Sequence, residues 1–432
     1  MKKHESLAAV YTRTDTLNNK GITLIALIIT IIILLLLAGI SITIMAQNGL
    51  LKNAQSAKNK QKSAQETEND ILYDYEEKIS TINGSNREEN DYTLLGIPHT
   101  KGKGTKENPY IITEAMQLKA INIIKNTENL YIKLGNDIDL SEACYKVDGT
   151  TANDISWTPI GNESNPFQGT LDGDGHKIKN LYINNAESNQ GLFYYIGEKA
   201  KIKNITIDGT IQAKGDYIGG FVGVNYGTIE NCTNDVLISN TNSNGYIMGG
   251  IVGNNLGIIY KCRNKNNITS VGGAVGGIAG KNALGEGNGF IIECINNGNI
   301  TASSYSSGGI VGTNANDSVN NANGYICNSY NTGTVRGGID KRAGIVAQIR
   351  LNGGNSYIYN CYNRGDIQGY PDIIGYDFGK GSSIVLNSYG AAQATVEKLN
   401  TKSDVEQILK DKNLYRENAY KIKDGNIVLD WE

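Results

Sequence analysis

Histidine and proline are scarce in this chain. The first scarcity excludes one class of enzyme, and the second indicates the kind of fold. Only 3 His and 5 Pro occur among 432 residues. His4, His99 and His176 lie far apart and outside any H-E-x-x-H arrangement, which excludes a zinc-peptidase site of that kind. Few prolines beside 52 Gly predict many tight turns between short strands, and not a disordered linker.

The chain also has no large excess of positive or negative charge, and it has no closely spaced cysteine pair. The net charge is −3 with both signs mixed, so the sequence offers no basic face for nucleic acid. The six cysteines include no Cys-x-x-Cys pair of the kind that holds zinc. We therefore predict no metal, no cofactor and no nucleic-acid partner.

Charged residues are missing altogether from residues 22–46. A helix of this length spans about 37 Å, more than the hydrocarbon core of about 30 Å. It is also longer than the apolar region of a signal peptide. Because a helix satisfies its own backbone in lipid, we predict a single membrane span. No LPxTG-like sorting signal occurs, so this segment is the only predicted anchor.

The junction at the start of this apolar run reads Lys20-Gly21-Ile22, followed by Thr-Leu-Ile. It resembles the processing site of type IV prepilins and pseudopilins. The resemblance implies a cytoplasmic leader, cleavage after Gly21 by a prepilin peptidase, an extracellular C-terminal domain, and assembly with pilus or secretion proteins. Ala26 stands where the family usually has Glu, which weakens the case for a major filament subunit. The alternative is a plain single-pass anchor.

Composition divides the chain into six predicted segments. They are a basic leader (1–21), a transmembrane helix (22–46), a helical stalk (47–81), a linker (82–108), a repeat domain (109–394) and a C-terminal helix-hairpin cap (395–432). The hairpin is predicted to turn at Asp424-Gly425. We expect the cap to cover the last coil of the repeat domain, because an open strand edge templates aggregation.

One pattern recurs through the repeat domain. Its last position falls at 232, 262, 294, 329, 361 and 388, so the period is 27–35 residues. The segments are β-branched and bounded by glycine, without helical stretches between them, which excludes ankyrin-type and tetratricopeptide-type repeats. We predict a mainly β fold, a single-stranded right-handed parallel β-helix with about three short strands per coil.

The recurring letters GG-[FI]-[VA]-G-x-N, followed by a strand ending in Asn-Cys, resemble the GLUG repeat across residues 104–390. That repeat occurs in bacterial surface proteins and in non-catalytic parts of some secreted peptidases. The resemblance therefore implies a surface protein whose repeat carries no catalytic residues.

Two adjacent positions of the repeat are predicted to form ladders, because stacked coils place equivalent residues about 4.8 Å apart. The ladder residues are Asn231, Asn360, Cys232, Cys262, Cys294 and Cys361. Serine replaces cysteine at 329 and 388, which favours a stack of small side chains at a bend over a disulfide or metal ladder. Lys261 and Glu293 replace asparagine in neighbouring coils. We expect them to form an ion pair between coils, at a part of the ladder that is accessible to water.

The predicted function is that of an adhesin or minor pilus subunit, tethered to the cell membrane and binding host or environmental glycan or protein. Tyrosines along the repeats are expected to be exposed and to suit such contacts: Tyr217, Tyr246, Tyr305, Tyr330 and Tyr362.

The alternative is a polysaccharide lyase or hydrolase. Its nearest candidates are Arg336, Asp340, Lys341 and Arg342, which fall in one loop and are more simply a solvated insertion. Asp137 and Asp139 can be a general acid and base, although a turn is the simpler interpretation. The run from Asp172 to Gly175 is likewise interpreted as a turn, because it lacks the remaining ligands of a calcium loop.

Overall fold

The computed structural model describes residues 100–145, 154–240, 246–303, 306–314, 322–337, 341–351, 354–379, 382–401 and 406–432. The predicted leader, membrane span and stalk, with Lys20, Gly21 and Ile22, lie outside these residues. No helix within the described ranges is long and apolar enough to cross a membrane.

Four parallel sheets make up the body of the molecule, and their strands come from successive coils of one solenoid. Sheet 1 contains, in order, Tyr110–Ile112, Tyr131–Leu134, Thr170–Asp172, Lys201–Lys203, Thr228–Glu230, Ile258–Tyr260, Gly289–Ile292, Gly324–Cys327, Ser356–Tyr359 and Ser383–Leu386. Sheet 2 contains Phe193–Ile196, Val222–Asn225, Val252–Asn255, Ala279–Asn282, Val311–Asn314, Val346–Leu351 and Ile374–Gly379. The prediction of a mainly β, parallel solenoid is confirmed.

The other two sheets complete each coil. Sheet 3 contains Ile138–Asp139, Lys177–Ile183, Thr206–Gln212 and Thr233–Asn240, and then continues as two rows of shorter strands. These rows are Arg263–Asn264, Ile295–Asn296, Tyr330–Asn331, Tyr362–Asn363 and Tyr389–Gly390, and beside them Ile268–Ser270, Ile300–Ala302 and Val335–Gly337. Sheet 4 contains Ile218–Gly219, Ile247–Gly249, Ala274–Gly276, Ser306–Gly308 and Arg342–Ala343.

The core is built from aliphatic rows, because alternate residues of a strand point to the same side. In sheet 1 the inward residues stand in direct register from coil to coil and are almost completely buried: Ile132, Leu171, Ile202, Ile229, Ile259, Ile291, Ile326 and Ile358. Burying such a side chain contributes roughly 1.5–3 kcal/mol. The rows hold the coils in register.

Buried asparagines form two further rows, which the sequence analysis did not single out. In the first row each side-chain amide donates to the side-chain oxygen of the next at 2.8 Å: Asn234, Asn264, Asn296, Asn331 and Asn363. The second row, with donor–acceptor distances of 2.7–2.8 Å, is Asn225, Asn255, Asn282 and Asn314. Because these buried amides bond to one another and to nearby carbonyls, they fix the coil turns.

The second glycine of each repeated pair packs against the first asparagine row. A Cβ atom on Gly277 would lie 2.2 Å from the Gly309 carbonyl oxygen and 2.3 Å from the Asn296 amide carbon. The same contact recurs between Gly250 and Asn264. The glycine pair is thus required by the close approach of one coil to the next.

The N-terminal coil carries short helical segments that pack into the core. Helix Ala115–Ala120 leads directly into the 3-10 helix Ile121–Ile123, and a second 3-10 helix spans Leu140–Glu142. Leu118 and Ile121 of the first two segments are buried.

The C-terminal segment contacts the side of the last coil at Asn387 and Tyr389 but leaves its inward Val385 38% exposed, so it does not close the end of the solenoid as the sequence analysis expected. It contains helices Val396–Leu399 and Glu406–Asp411 and the antiparallel strands Tyr420–Lys423 and Asn426–Leu429. Asp424 and Gly425 both adopt positive φ, as a two-residue hairpin turn requires.

The segment packs instead along the flank of the solenoid. Leu409 and Leu414 lie against the outward aromatic side chains of sheet 1, and Tyr420 and Leu429 lie against those of sheet 3. The physical reason is that these aromatic rows need cover along the side of the coils.

Candidate binding groove

The outer face of sheet 1 is charged on the early coils of the solenoid and aromatic on the later ones. In the later coils it carries Phe290, Tyr325 and Tyr357, whose rings stack in parallel with centroids 4.7 Å apart. Leu409 and Leu414 of the C-terminal segment pack over this aromatic part. The charged part on the earlier coils lies outside this apolar cluster.

The charged part of the face contains a groove of about 600 Å³. Tyr131, Pro109, Thr170 and Asp172 line it between four lysines, Lys106, Lys133, Lys201 and Lys203. Lys133, Asp172 and Lys203 occupy the same register position on three adjacent strands, so their side chains form one outward row. Hereafter "the groove" means this set of residues.

Carboxylates partner three of the four groove lysines. Lys133 lies 2.8 Å from Asp174, and Lys203 lies 2.6 Å from Asp172. Lys201 lies 2.5 Å from Glu230 on the next strand. Positive and negative groups therefore alternate along the wall of the groove.

The pKa shifts of Lys133 and Asp172 both favour the charged form of the group. The hydrogen bond to Asp174 raises the pKa of Lys133. Partial burial by itself raises the pKa of Asp172, but hydrogen bonds from Lys203, the Asp174 backbone N–H and the Asn204 amide outweigh it and lower the pKa overall. The groove thus offers ammonium donors and carboxylate acceptors side by side.

Sequence reasoning did not find the groove, although a signal was present. The strands YIK (131–133), TLD (170–172) and KIK (201–203) each place an apolar residue between two residues that face outward. Aligning these early strands with the later repeats shows that their outward positions are polar or charged where later coils are aromatic. The early coils diverge from the glycine-pair pattern, so that pattern does not bring these strands into alignment.

The run from Asp172 to Gly175 forms a turn, in agreement with its interpretation from sequence. Asp174 and Gly175 adopt φ of 52° and 86°, and the Asp174 N–H donates to the Asp172 carboxylate at 3.0 Å. This turn directs the Asp174 carboxylate to Lys133. The two acidic residues therefore serve the ion pairs of the groove.

Asp137 and Asp139 also make structural contacts, the first between coils and the second at the start of the 3-10 helix Leu140–Glu142. Asp137 pairs with Lys179 at 2.7 Å and accepts from the Lys177 N–H, and these contacts lower its pKa to about 2. Asp139 accepts from the Asn180 amide and from the Ser141 N–H, which lower its pKa as well. Both groups are ionised at neutral pH, unlike a general acid.

The asparagine position of the repeat has a backbone cause that the sequence analysis missed. All eight occupants adopt left-handed φ between 49° and 61°: Asn180, Asn204, Asn231, Lys261, Glu293, Asn328, Asn360 and Asn387. Asparagine tolerates this conformation better than most residues. Asn231 also donates to Asn204 at 2.8 Å, and Asn360 donates to Asn328 at 3.1 Å.

Lys261 and Glu293 do not form the wet pair expected from sequence. The Lys261 ammonium lies 5.0 Å from the centre of the Tyr260 ring. Glu293 has no exposed surface and pairs with Arg416 of the C-terminal segment at 3.7 Å. Because the segment covers this position, the water assumed in the sequence analysis has no access to Glu293.

Four of the cysteines occupy one repeated position, two residues after a strand of sheet 1. All six cysteines of the chain are free and buried. The thiols of Cys232, Cys262, Cys294 and Cys361 each donate to the backbone carbonyl two residues earlier, at 3.2–3.4 Å. Ser329 makes the equivalent contact with its hydroxyl at 2.9 Å. Burial raises the pKa of Cys361 to about 12, so its thiol stays protonated at neutral pH.

The tyrosines expected to be exposed are mostly buried. Tyr246, Tyr330 and Tyr362 are at most 7% exposed, because the two latter rings lie under Tyr420 and its neighbours. Tyr217 is half-buried, and Tyr305 lies outside the described residues. Burial therefore removes Tyr246, Tyr330 and Tyr362 from any contact surface for glycan.

Three of the four residues considered for an enzymatic site are described, and each makes a separate contact. Arg336 pairs with Asp366 at 2.6 Å. Arg342 lies under the Tyr370 ring at 4.2 Å and is 8% exposed. The Lys341 ammonium lies 5.6 Å from the centre of the Tyr376 ring. Asp340 lies outside the described residues.

Comparison with known proteins gives one family match and two curated relatives. A family model described as "The GLUG motif" matches residues 215–239, which include Asn231 and Cys232. A "Putative Gly-rich membrane protein" from Evansella cellulosilytica is 38% identical over 186 residues, covering 42% of this chain and 21% of the relative. "Halomucin" from Haloquadratum walsbyi is 31% identical over 154 residues, covering 33% of this chain and 2% of the relative. The chain thus spans about a fifth of the first relative and a much smaller part of the second.

A solved structure is also similar in part. It is the crystal structure of a "putative immunoglobulin A1 protease" from Bacteroides ovatus, 23% identical, with a TM-score of 0.44. The match covers 77% of this chain and 95% of that chain.

Proposed function

We propose that this chain is a bacterial surface protein whose solenoid, held outside the membrane by residues 22–46, acts as a non-enzymatic adhesin. The groove on sheet 1 is the observation that carries the proposal, since it combines a concave surface, an aromatic ring and convergent polar groups. The GLUG match and the names of the two relatives, "Putative Gly-rich membrane protein" and "Halomucin", support a surface location.

The solenoid suits this role physically. Each coil contacts mainly its neighbours, so the outer faces of the stack remain available wherever the C-terminal segment does not cover them. The rows of buried isoleucine and asparagine hold those faces in fixed register. A ligand-binding face on such a body requires no moving part.

In this proposal, the chain is anchored in the membrane by a processed, prepilin-like N-terminus. The resemblance around Lys20, Gly21 and Ile22 supports cleavage after Gly21 and a cytoplasmic leader. Assembly with pilus or secretion proteins would follow from such processing.

Surface exposure can be tested on intact cells that express the full chain. A membrane-impermeant amine reagent is expected to label the exposed Lys106 before lysis. Mass spectrometry of the recovered protein locates the label and reads the N-terminus in the same experiment. Labelling of Lys106 only after lysis would refute the surface location, and a chain that keeps Met1 would refute the cleavage.

A further inference from the structure

We propose that the groove binds a neutral polysaccharide chain, with the Tyr131 ring against the face of a sugar and the ion pairs bonded to its hydroxyl groups. This inference rests on the proposed function of the chain as an adhesin, and it names the ligand class of the same surface.

The charge balance of the groove selects an uncharged ligand. A polyanion requires ammonium groups whose charge is not already compensated. Here Asp174, Asp172 and Glu230 lie within 2.5–2.8 Å of three of the four groove lysines. A sulfated or uronic acid chain would therefore meet the Asp172 carboxylate between Lys133 and Lys203, and the carboxylate partners of Lys133 and Lys201 would oppose its charge, because like charges repel.

The hydrogen-bonding groups match adjacent hydroxyls. A sugar hydroxyl donates one hydrogen bond and accepts others, and a close ammonium–carboxylate pair offers both partners side by side. Lys133, Asp172 and Lys203 succeed one another on adjacent strands, which lie about 4.8 Å apart. This spacing is close to the length of one sugar unit, so each coil can serve one unit of an extended chain.

Tyr131 supplies the apolar contact. It is half-buried, occupies the outward row next to Thr170, and lines the groove together with Pro109. A tyrosine ring offers an apolar face at low entropic cost, and the CH-rich face of a sugar is its complement. The volume of about 600 Å³ falls in the range of ligand pockets and accommodates a few sugar units.

The test measures binding of the full chain in detergent micelles to soluble polysaccharides by isothermal titration calorimetry. The neutral probes are dextran, mannan, a soluble β-glucan and arabinoxylan, and the anionic probes are polygalacturonate and heparin. We expect at least one neutral probe to bind, with an affinity that changes less than twofold between 0.05 and 0.5 M NaCl, because screening weakens charge–charge attraction only.

Three variants sharpen the result. Tyr131→Ala is expected to weaken neutral binding about tenfold through loss of the ring contact. Tyr376→Ala is the matched control, since Tyr376 is 41% exposed on sheet 2 and outside the groove. Asp172→Ala removes the acceptor beside Lys203, so it should weaken neutral binding and gain salt-sensitive binding of polygalacturonate.

Three outcomes of the calorimetry would overturn the inference. Binding of the anionic probes alone, falling with salt, would identify a polyanion site. Equal affinities for Tyr131→Ala and Tyr376→Ala would place the ligand elsewhere on the molecule. Absence of binding to every neutral probe would refute the ligand class. The calorimetry uses purified protein, so these outcomes are independent of whether Lys106 is labelled on intact cells.

Discussion

Replacement of Glu293 by Gln should make the protein more stable at neutral and alkaline pH. The carboxyl group has no exposed surface, and neither of its oxygens has a hydrogen-bond partner among the described residues. Arg416 lies 3.7 Å away but is shared with Asp430 at 3.4 Å, and Lys261 adds a weaker attraction. Desolvation dominates and raises the pKa of Glu293 from 4.5 to about 7.

The sign follows from proton linkage. Between pH 4.5 and 7 the folded state keeps the Glu293 proton and the unfolded state releases it, so stability falls as pH rises. A pKa difference of about 2.5 units corresponds to about 3 kcal/mol at 1.36 kcal/mol per unit. Glutamine has the same shape without the charge. The variant should match the parent near pH 4 and exceed it by about 3 kcal/mol at pH 8.

Urea unfolding at a series of pH values from 4 to 8.5 measures this difference. Comparing variant with parent at each pH cancels the contributions of all other titrating groups. Glu230→Gln is the control, because Glu230 is only half-buried and the substitution removes its ion pair with Lys201. It should gain no stability at pH 8. A difference between Glu293→Gln and the parent that stays constant across the pH range would refute the reasoning.

Three further predictions concern the rows inside the solenoid. Asn296→Ala should lower the free energy of unfolding by about 3 kcal/mol, because it removes the hydrogen bonds of two neighbouring amides. In the same urea titration, Ala in place of the adjacent, exposed Asn297 should change the free energy of unfolding by less than about 0.5 kcal/mol. Asn231→Val should cost about 1–2 kcal/mol more than Asn231→Gly at this left-handed position, and similar unfolding midpoints for the two variants would contradict the backbone explanation. Cys262→Ser should cost less than about 1.5 kcal/mol, since Ser329 already fills the equivalent position, and the parent thiol should resist a maleimide reagent until the protein is unfolded.

The sequence alone was sufficient to predict the repeating parts of the fold. A period near 30 residues, β-branched segments and glycine pairs all express the local geometry of one coil, and that geometry recurs. The ladder positions at Asn231 and Cys232 were identified for the same reason. Their physical cause was not, because a left-handed φ is a property of the backbone that an asparagine signals only indirectly.

Non-local contacts account for the errors. The burial of Tyr330 and Tyr362 and the partner of Glu293 depend on where the C-terminal segment packs. No periodicity in the sequence predicts whether this segment packs on the end or on the flank of the solenoid. The groove likewise arises from the register of three early strands, in which Lys133, Asp172 and Lys203 come together from positions 31–39 residues apart.

Adhesion of whole cells tests the central claim most directly, because it requires both surface display and a working groove. Cells that express the full chain would be allowed to settle on a surface coated with the neutral polysaccharide identified by calorimetry. We predict that cells with the parent chain or Tyr376→Ala adhere equally, that soluble polysaccharide releases them, and that Tyr131→Ala abolishes most of the adhesion. Equal adhesion by all three strains at equal surface amounts of protein would contradict the account.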